Sequence, residues 1–264
     1  APKSANADTW PKDKDGKWVG YYDMIGGPSI GVPGEIKGLL YALKKYGTMS
    51  RNEVLQPAID LAENGFIVGP TFCDTLKEYF SFYGKYPETV KTFYKDGLPY
   101  EPGDLYVNKD LAKTFKLIRD KGEDGFYKGE VAEAIVKSTA EAGGILTMED
   151  LADYEVKLRE PVKGTYRGYE IISSPPSSSG GAHVVQILNI LENFDIASLE
   201  VNSPEYIHLF SEAFKLAFAD RGKYMGDTDF VKVPLKGITD RNYAKELSKK
   251  IDVNKAQVHQ PGDP

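Results

Sequence analysis

YEIISSPPSSSGGAHVVQILNILENFDI, Tyr169 to Ile196, carries three kinds of local chemistry in one run. Tyr169 to Ile172 are aromatic, acidic and β-branched residues that read as a short strand ahead of a breaker cluster. Pro175-Pro176-Ser177-Ser178-Ser179-Gly180-Gly181 then form a tight loop, because proline cannot continue ladder pairing and glycine admits unusual backbone angles. Val184, Ile187, Leu188 and Leu191 follow at i, i+3, i+4 and i+7, which predicts one apolar helix face. Serines and glycines before a helix leave backbone N–H groups facing the loop mouth, where an anion fits. The same residues also suit a purely structural strand-to-helix corner whose serines cap the helix. Neither G-x-G-x-x-G nor the phosphate-loop G-K-[ST] pattern is present.

Around this stretch the composition is that of an ordinary water-soluble chain. At 264 residues it can bury a sizeable core. Hydrophobic content of 41% and charged content of 27% lie in the usual range. A net charge of −6 weighs against nucleic acid as a partner. No apolar run approaches membrane-spanning length, and no signal peptide opens the chain. Cys73 is the single cysteine, so there is no internal disulfide and no cysteine-rich metal site.

Working back towards the start, Ala1 to Gly20 is polar and aperiodic apart from the pair around Trp18, and it reads as an exposed arm or a cut edge. Gly27 to Gly31 is a formal G-x-S-x-G match with Ser29 at its centre. Pro28 fits poorly into the strained strand end of a nucleophile elbow, so the stretch is expected to be a glycine-rich turn feeding a helix from near Pro33. Ile36, Leu39, Leu40 and Leu43 continue that helix to Gly47. Ser50-Arg51-Asn52-Glu53 is a capping box opening a helix to Gly65, with a kink or break expected at Pro57. Pro70 to Tyr83 predicts one aromatic helix burying Phe72, Leu76, Tyr79, Phe80 and Tyr83. Gly84 to Asn108 reads as loop around one short helix, and Asn108 caps a helix ending at Gly122. Gly125 to Gly144 predicts a further helix, and Thr147 to Asp153 a helical turn. Glu155 to Arg159, Gly164 to Arg167 and Tyr169 to Ile172 are expected as an antiparallel meander.

Beyond the opening stretch, Ser203-Pro204-Glu205 is a strong helix start, with Tyr206, Phe210, Phe214, Ala217 and Phe218 expected on its buried face. Asn242 to Ile251 is a last short helix, and the polar tail Asp252 to Pro264 is expected to be disordered. His183, His208 and His259 show no paired-ligand spacing, and His208 reads as a helix-surface residue. Residue chemistry alone stops at a mainly helical chain without internal repeats.

The order of longer motifs goes further. G-V-P-G-x-x-x-G-L at Gly31 to Leu39 is followed by K-Y-G-T-M at Lys45 to Met49 and Q-P-A-I-x-L-A-x-x-G-F at Gln56 to Phe66. G-F-Y-K-G at Gly125 to Gly129, G-G-I-L-T-x-E-D-L-A-x-Y at Gly143 to Tyr154 and Y-R-G-Y-E-I at Tyr166 to Ile171 come next. P-P-S-S-S-G-G, Q-I-L-N-I-L-E-N-F-D and F-A-D-R-x-x-Y-M-G-D at Phe218 to Asp227 close the series. In this order they resemble the large subunit of γ-glutamyltranspeptidase, a family of the N-terminal nucleophile hydrolase superfamily, and the resemblance runs over nearly the whole chain.

The resemblance implies an α+β fold class: a predominantly helical segment of an αββα sandwich with a few short antiparallel strands, with residues 1–264 as a single partial domain. It implies a precursor that cleaves itself into two subunits, and a small-subunit partner whose N-terminal threonine attacks γ-glutamyl amides such as glutathione. The acyl group then passes to water or to acceptor amino acids and peptides. The chain has no T-T-H-[FY]-S-V segment, and its Ala1-Pro2 match the end of the family's R-E-x-A-P. The nucleophile, the substrate-carboxylate arginine and the first strands are therefore expected outside these residues, and the chain alone is expected to be inactive. No catalytic, substrate-binding or metal-ligating residue is assigned within it, and no cofactor is expected. Pro175 to Gly181 is given a structural role in shaping the subunit contact. The family's usual location implies a periplasmic or extracellular protein. Rival readings are an acylase of the same fold acting on cephalosporin side chains or poly-γ-glutamate, a serine hydrolase using Ser29, and a non-catalytic interaction module.

Overall fold

A computed structural model describes residues 1–6, 8–10, 12–17 and 26–264 of the chain, which separates into two units, Ala1–Lys157 and Leu158–Pro264. The pair around Trp18 lies outside the described residues. Helices dominate both units, and the only sheets among the described residues are two antiparallel two-stranded ribbons, so the α+β reading holds. No helix among the described residues is long and apolar enough to cross a membrane.

In the first unit, a 3-10 turn at Gly27–Ser29 leads to α1 (Glu35–Tyr46) and α2 (Arg51–Asn64). The Ser50–Glu53 capping box is formed in both directions. Pro57 sits inside α2, which runs on through it, so the helix is not broken there. Phe66–Ile67 is β1, paired with β2 (Leu105–Tyr106), and neither short strand was expected. Between them lie α3 (Pro70–Glu78), α4 (Phe80–Tyr83) and α5 (Pro87–Phe93). The single aromatic helix expected over Pro70 to Tyr83 is thus divided at Tyr79, whose ψ of 13° departs from helical geometry. Its core face is Cys73 and Leu76, while Tyr79 and Phe80 are exposed. Val68, Cys73, Leu76, Tyr94, Tyr100 and Tyr106 form the core here.

Asn108 caps α6 (Lys109–Lys121) by accepting from the Leu111 N–H, as the residue type predicts. The helix expected over Gly125 to Gly144 is two, α7 (Asp124–Tyr127) and α8 (Gly129–Glu141), because Lys128 is extended and Gly129 takes a φ of 64°. The helix α9 (Met148–Ala152) has a second capping box, between Thr147 and Asp150. The chain's first residues are tied down, since Pro2 is buried and the Lys3 N–H donates to Asp150 Oδ1 at 2.7 Å, whereas residues 12–17 are exposed as expected.

The second unit begins with β3 (Val162–Tyr166) and β4 (Tyr169–Ser173), in register from Val162↔Ser173 to Tyr166↔Tyr169. Arg167 and Gly168 both have positive φ, 47° and 86°, as a two-residue hairpin turn matching strand twist requires. Glu155 to Arg159 is not a strand, so the meander reduces to one hairpin. The helices are α10 (Gly180–Leu191), α11 (Pro204–Tyr224), α12 (Leu235–Ile238) and α13 (Arg241–Ser248). Ile187, Ile190, Leu191, Leu209, Ala213, Leu216, Ala217, Ala244 and Leu247 make the core shared by α10, α11 and α13.

Two face assignments change. Helix α10 is buried on nearly all sides rather than along one stripe, with Val185, Gln186, Asn189 and Ile190 inside and Val184 exposed. Helix α11 buries Leu209, Glu212, Ala213, Leu216, Ala217 and Asp220, while Phe214 and Phe218 of the predicted face are exposed. The tail is also ordered rather than disordered, because its polar groups are bonded to α11.

Candidate functional site

The strand-to-helix corner of the second unit is built from backbone contact first. Gly181 lies against the preceding strand so closely that a Cβ would fall 2.1 Å from the Ser174 carbonyl oxygen. Ser179 is the N-cap residue of α10, yet its side chain caps no helix N–H. Its Oγ instead accepts from Arg221 Nε at 2.8 Å, and Ser178 Oγ accepts the Gly180 N–H at 3.4 Å. The N-cap serine, Ser179, thus takes a guanidinium from α11, and the serine bond to the first N–H of α10 comes from Ser178.

Behind the corner runs a buried polar chain. His183 Nδ1 meets Gln186 Oε1 at 2.8 Å, and Gln186 Nε2 donates to Asp220 Oδ2 at 2.6 Å. Tyr243 OH donates to the same carboxylate oxygen at 2.7 Å. A carboxylate accepts and does not donate, so it turns the Gln186 amide to present its oxygen to His183. The imidazole must then carry its proton on Nδ1. Its Nε2 is buried without a partner among the described residues. Burial holds the His183 pKa below its usual value, while the Gln186 contact opposes that shift. Burial first, and then the bond to Asp220, push the Tyr243 phenol up.

The second buried acid of α11, Glu212, collects the tail. Its Oε1 accepts from Lys215 Nζ and, at 3.2 Å, from the Gln257 N–H, and its Oε2 meets His259 Nε2 at 2.6 Å. Burial alone would raise the Glu212 pKa, but the donors Lys215, His259 and the Gln257 N–H outweigh it and hold the carboxyl below its ordinary range. Asp220 accepts the Gly262 N–H at 2.7 Å, and Tyr224 OH donates to the Gly262 carbonyl at 2.7 Å. His208 is a helix residue as read, and its Nε2 lies 2.8 Å from the Asp252 carbonyl oxygen. The sequence marked this tail only as polar, and the signal that was available is the pair of acids placed eight residues apart on an apolar helix.

These groups orient backbone; they do not form a nucleophile–base pair. Ser29 is in the expected turn, where its hydroxyl donates to the Gly26 carbonyl at 2.8 Å. All three histidines belong to the second unit by number, so the unit carrying Ser29 has none to serve as its base. The first unit also holds an apolar groove of about 630 Å³ lined by Ile30, Pro33, Leu117, Phe126, Val131 and Ile135 among others. The described residues contain no group of three His, Cys, Asp or Glu side chains placed to hold a metal ion.

Comparison with known proteins gives a consistent result. The profile of the family described as Gamma-glutamyltranspeptidase matches residues 1–263. The Glutathione hydrolase proenzyme of Escherichia coli (strain K12) is 48% identical over 228 residues, which are 86% of this chain and 39% of that protein. The Acylase ACY 1 proenzyme of Pseudomonas sp. (strain SE83) is 40% identical over 262 residues, 97% of this chain and 47% of that protein. The crystal structure of Helicobacter pylori gamma-glutamyltranspeptidase superposes with a TM-score of 0.94 at 44% identity, over 98% of this chain and 76% of that one. The chain thus spans less than half the length of these two curated relatives.

Proposed function

The chain belongs to the γ-glutamyltranspeptidase family, and from that premise we propose that it is the helical part of the large subunit of a self-processing glutathione hydrolase and γ-glutamyltransferase. The observation that carries the reading is the likeness to the Helicobacter pylori enzyme over 98% of the chain. The two units belong, on this reading, to one partial domain of the assembled enzyme. The partner is a small subunit from the same precursor, which brings the N-terminal threonine. Its hydroxyl attacks the γ-glutamyl carbonyl, its own α-amine serves as base, and the acyl-enzyme passes to water or to an acceptor amine. The tetrahedral oxyanion needs aimed donors, and on this reading they too come from outside this chain. The place of action is the periplasm or the extracellular space, where glutathione and acceptor peptides are met. On this reading the residues of this chain are scaffolding, and none of them binds a reacting atom.

The test compares the isolated chain with the full-length precursor on a γ-glutamyl anilide. The isolated chain is expected to release product no faster than buffer, and the precursor is expected to cleave itself and turn over. Ser29→Ala in the precursor leaves turnover nearly unchanged, since that hydroxyl is spent on Gly26. Hydrolysis by the isolated chain that vanishes with Ser29→Ala would sink the reading. A second reading, an acylase of another amide, is favoured by the 40% identity to the ACY 1 proenzyme. A processed enzyme that ignores the γ-glutamyl anilide but cleaves a cephalosporin side chain would select it.

A further inference from the structure

We propose that Glu212 and Asp220 are positioning residues for precursor self-cleavage, seating the tail Asp252–Pro264 so that the chain beyond it departs from a fixed point in a fixed direction. This inference rests on the reading that the protein is a self-processing precursor.

The tail has no regular secondary structure beyond a turn at its start, yet it is held along its length. Glu212 takes His259 and the Gln257 N–H, Asp220 takes the Gly262 N–H, and Lys215 Nζ donates to the Gln257 carbonyl at 2.6 Å. The two acids are eight residues apart on one helix, about 12 Å at the helical rise. Residues 259 and 262 are three apart, about 10 Å in extended chain. The matching lengths and order lay the tail beside α11, running in the same direction. At its far end Gly237 sits so close to Pro264 that a Cβ would come within 2.3 Å of the Pro264 carbonyl carbon.

Both carboxylates are fully buried. A buried carboxylate is tolerated only when its oxygens are satisfied, and removing donors from it is strongly unfavourable. Undocking the tail would strip Glu212 of two donors and Asp220 of one. The core of the unit therefore demands a seated tail. Clasping serves a segment whose far end must be presented accurately, and in the proposed precursor that end leads to the bond that is cut. There the threonine hydroxyl adds to the preceding carbonyl carbon, the peptide C–N bond breaks, and an ester and a free amine result. Water then breaks the ester, leaving a carboxylate on this subunit and the hydroxyl on the other. A freed tail lengthens the tether ahead of that bond, and each doubling of a flexible tether lowers closure by roughly threefold.

The experiment uses the full-length precursor, with Glu212→Gln and Asp220→Asn as helix-side variants. His259→Ala and Gly262→Ala are tail-side variants that leave α11 intact if the helix-side pair fails to fold. At position 262 a Cβ would meet Tyr243 OH at 2.1 Å, so the alanine displaces either the tail or that phenol, and exchange of residues 252–264 reads which. Three quantities are read: the self-cleavage rate on gels, hydrogen exchange of residues 252–264, and γ-glutamyl anilide turnover per cleaved molecule. The expected result is faster exchange in the tail, self-cleavage slowed by about threefold or more, and turnover after cleavage within about twofold of the parent. Freed tails with cleavage at the parental rate overturn the proposal, as do tails whose exchange does not change. A parental precursor that never cleaves itself overturns the functional reading and this inference together, which distinguishes the two failures.

Discussion

A Cβ at position 181 would lie 2.1 Å from the Ser174 carbonyl oxygen, whereas at position 180 the nearest neighbour is Ser178 Oγ at 3.6 Å. Two adjacent glycines in one motif therefore have different reasons to be glycine. Gly181→Ala forces strand β4 and helix α10 apart and is expected to cost about 1–3 kcal/mol; Gly180→Ala is expected to stay within about 0.5 kcal/mol. Urea unfolding of the two variants checks this, and equal losses would refute the close-approach argument. His183 sets a pH dependence. Its pKa is lowered in the fold by burial, so the unfolded chain takes up a proton near pH 6.5 that the folded chain resists. Its contribution to stability is complete above about pH 6.5 and is lost as pH falls through the lowered folded value, at up to about 1.4 kcal/mol per pH unit. His183→Gln is expected to remove this part of the slope below pH 6.5, while the acid loss due to Glu212 remains at lower pH. A variant with the parental slope would show that His183 is not the group responsible.

At the scale of elements, α11 carries two stripes at helical spacing. The aromatic one, through Phe214 and Phe218, is the more hydrophobic in sequence, and it faces out. The buried one contains Glu212 and Asp220, and two acids in a seam conceal it from any hydrophobicity pattern. Leu216→Ala, at 1% exposure, is expected to cost about 2–5 kcal/mol. Phe218→Ala, at 54% exposure, is expected to cost less than about 1 kcal/mol in this chain. Thermal or urea unfolding of both decides, and the reverse order would restore the aromatic face as core. The splitting of Pro70 to Tyr83 has a similar origin. Apolar residues there recur at helical period, but nothing in their identity registers the change in backbone direction at Tyr79.

For the whole molecule, large apolar side chains are exposed on both units, among them Leu39, Leu61 and Ile67 on the first and Val184, Ile207, Phe214 and Phe218 on the second. Apolar surface of this kind is expected to be covered in an assembled protein. The isolated chain should therefore bind a hydrophobic dye or self-associate, and co-expression with the remainder of the proposed precursor should abolish both. A monodisperse monomer without dye binding would count against this. The lone cysteine, Cys73, is buried and takes no part in such association.

Local chemistry was written in the residues themselves. Ser50, Asn108, Thr147 and Ser203 announced four helix starts, because a side-chain oxygen reaching a first-turn N–H depends on nearby sequence alone. The two strands flanking Gly168 were legible for the same reason, though not the turn residue Arg167, and so was the motif order that points to the family. The tertiary structure alone decided which face of α10 and α11 is buried, that Glu155 to Arg159 pairs with nothing in a sheet, and that the tail is seated. Each of these depends on partners far away in sequence. A polar tail looks disordered until two buried carboxylates, some forty residues upstream, supply the bonds that order it. Those carboxylates look like surface until the tail covers them.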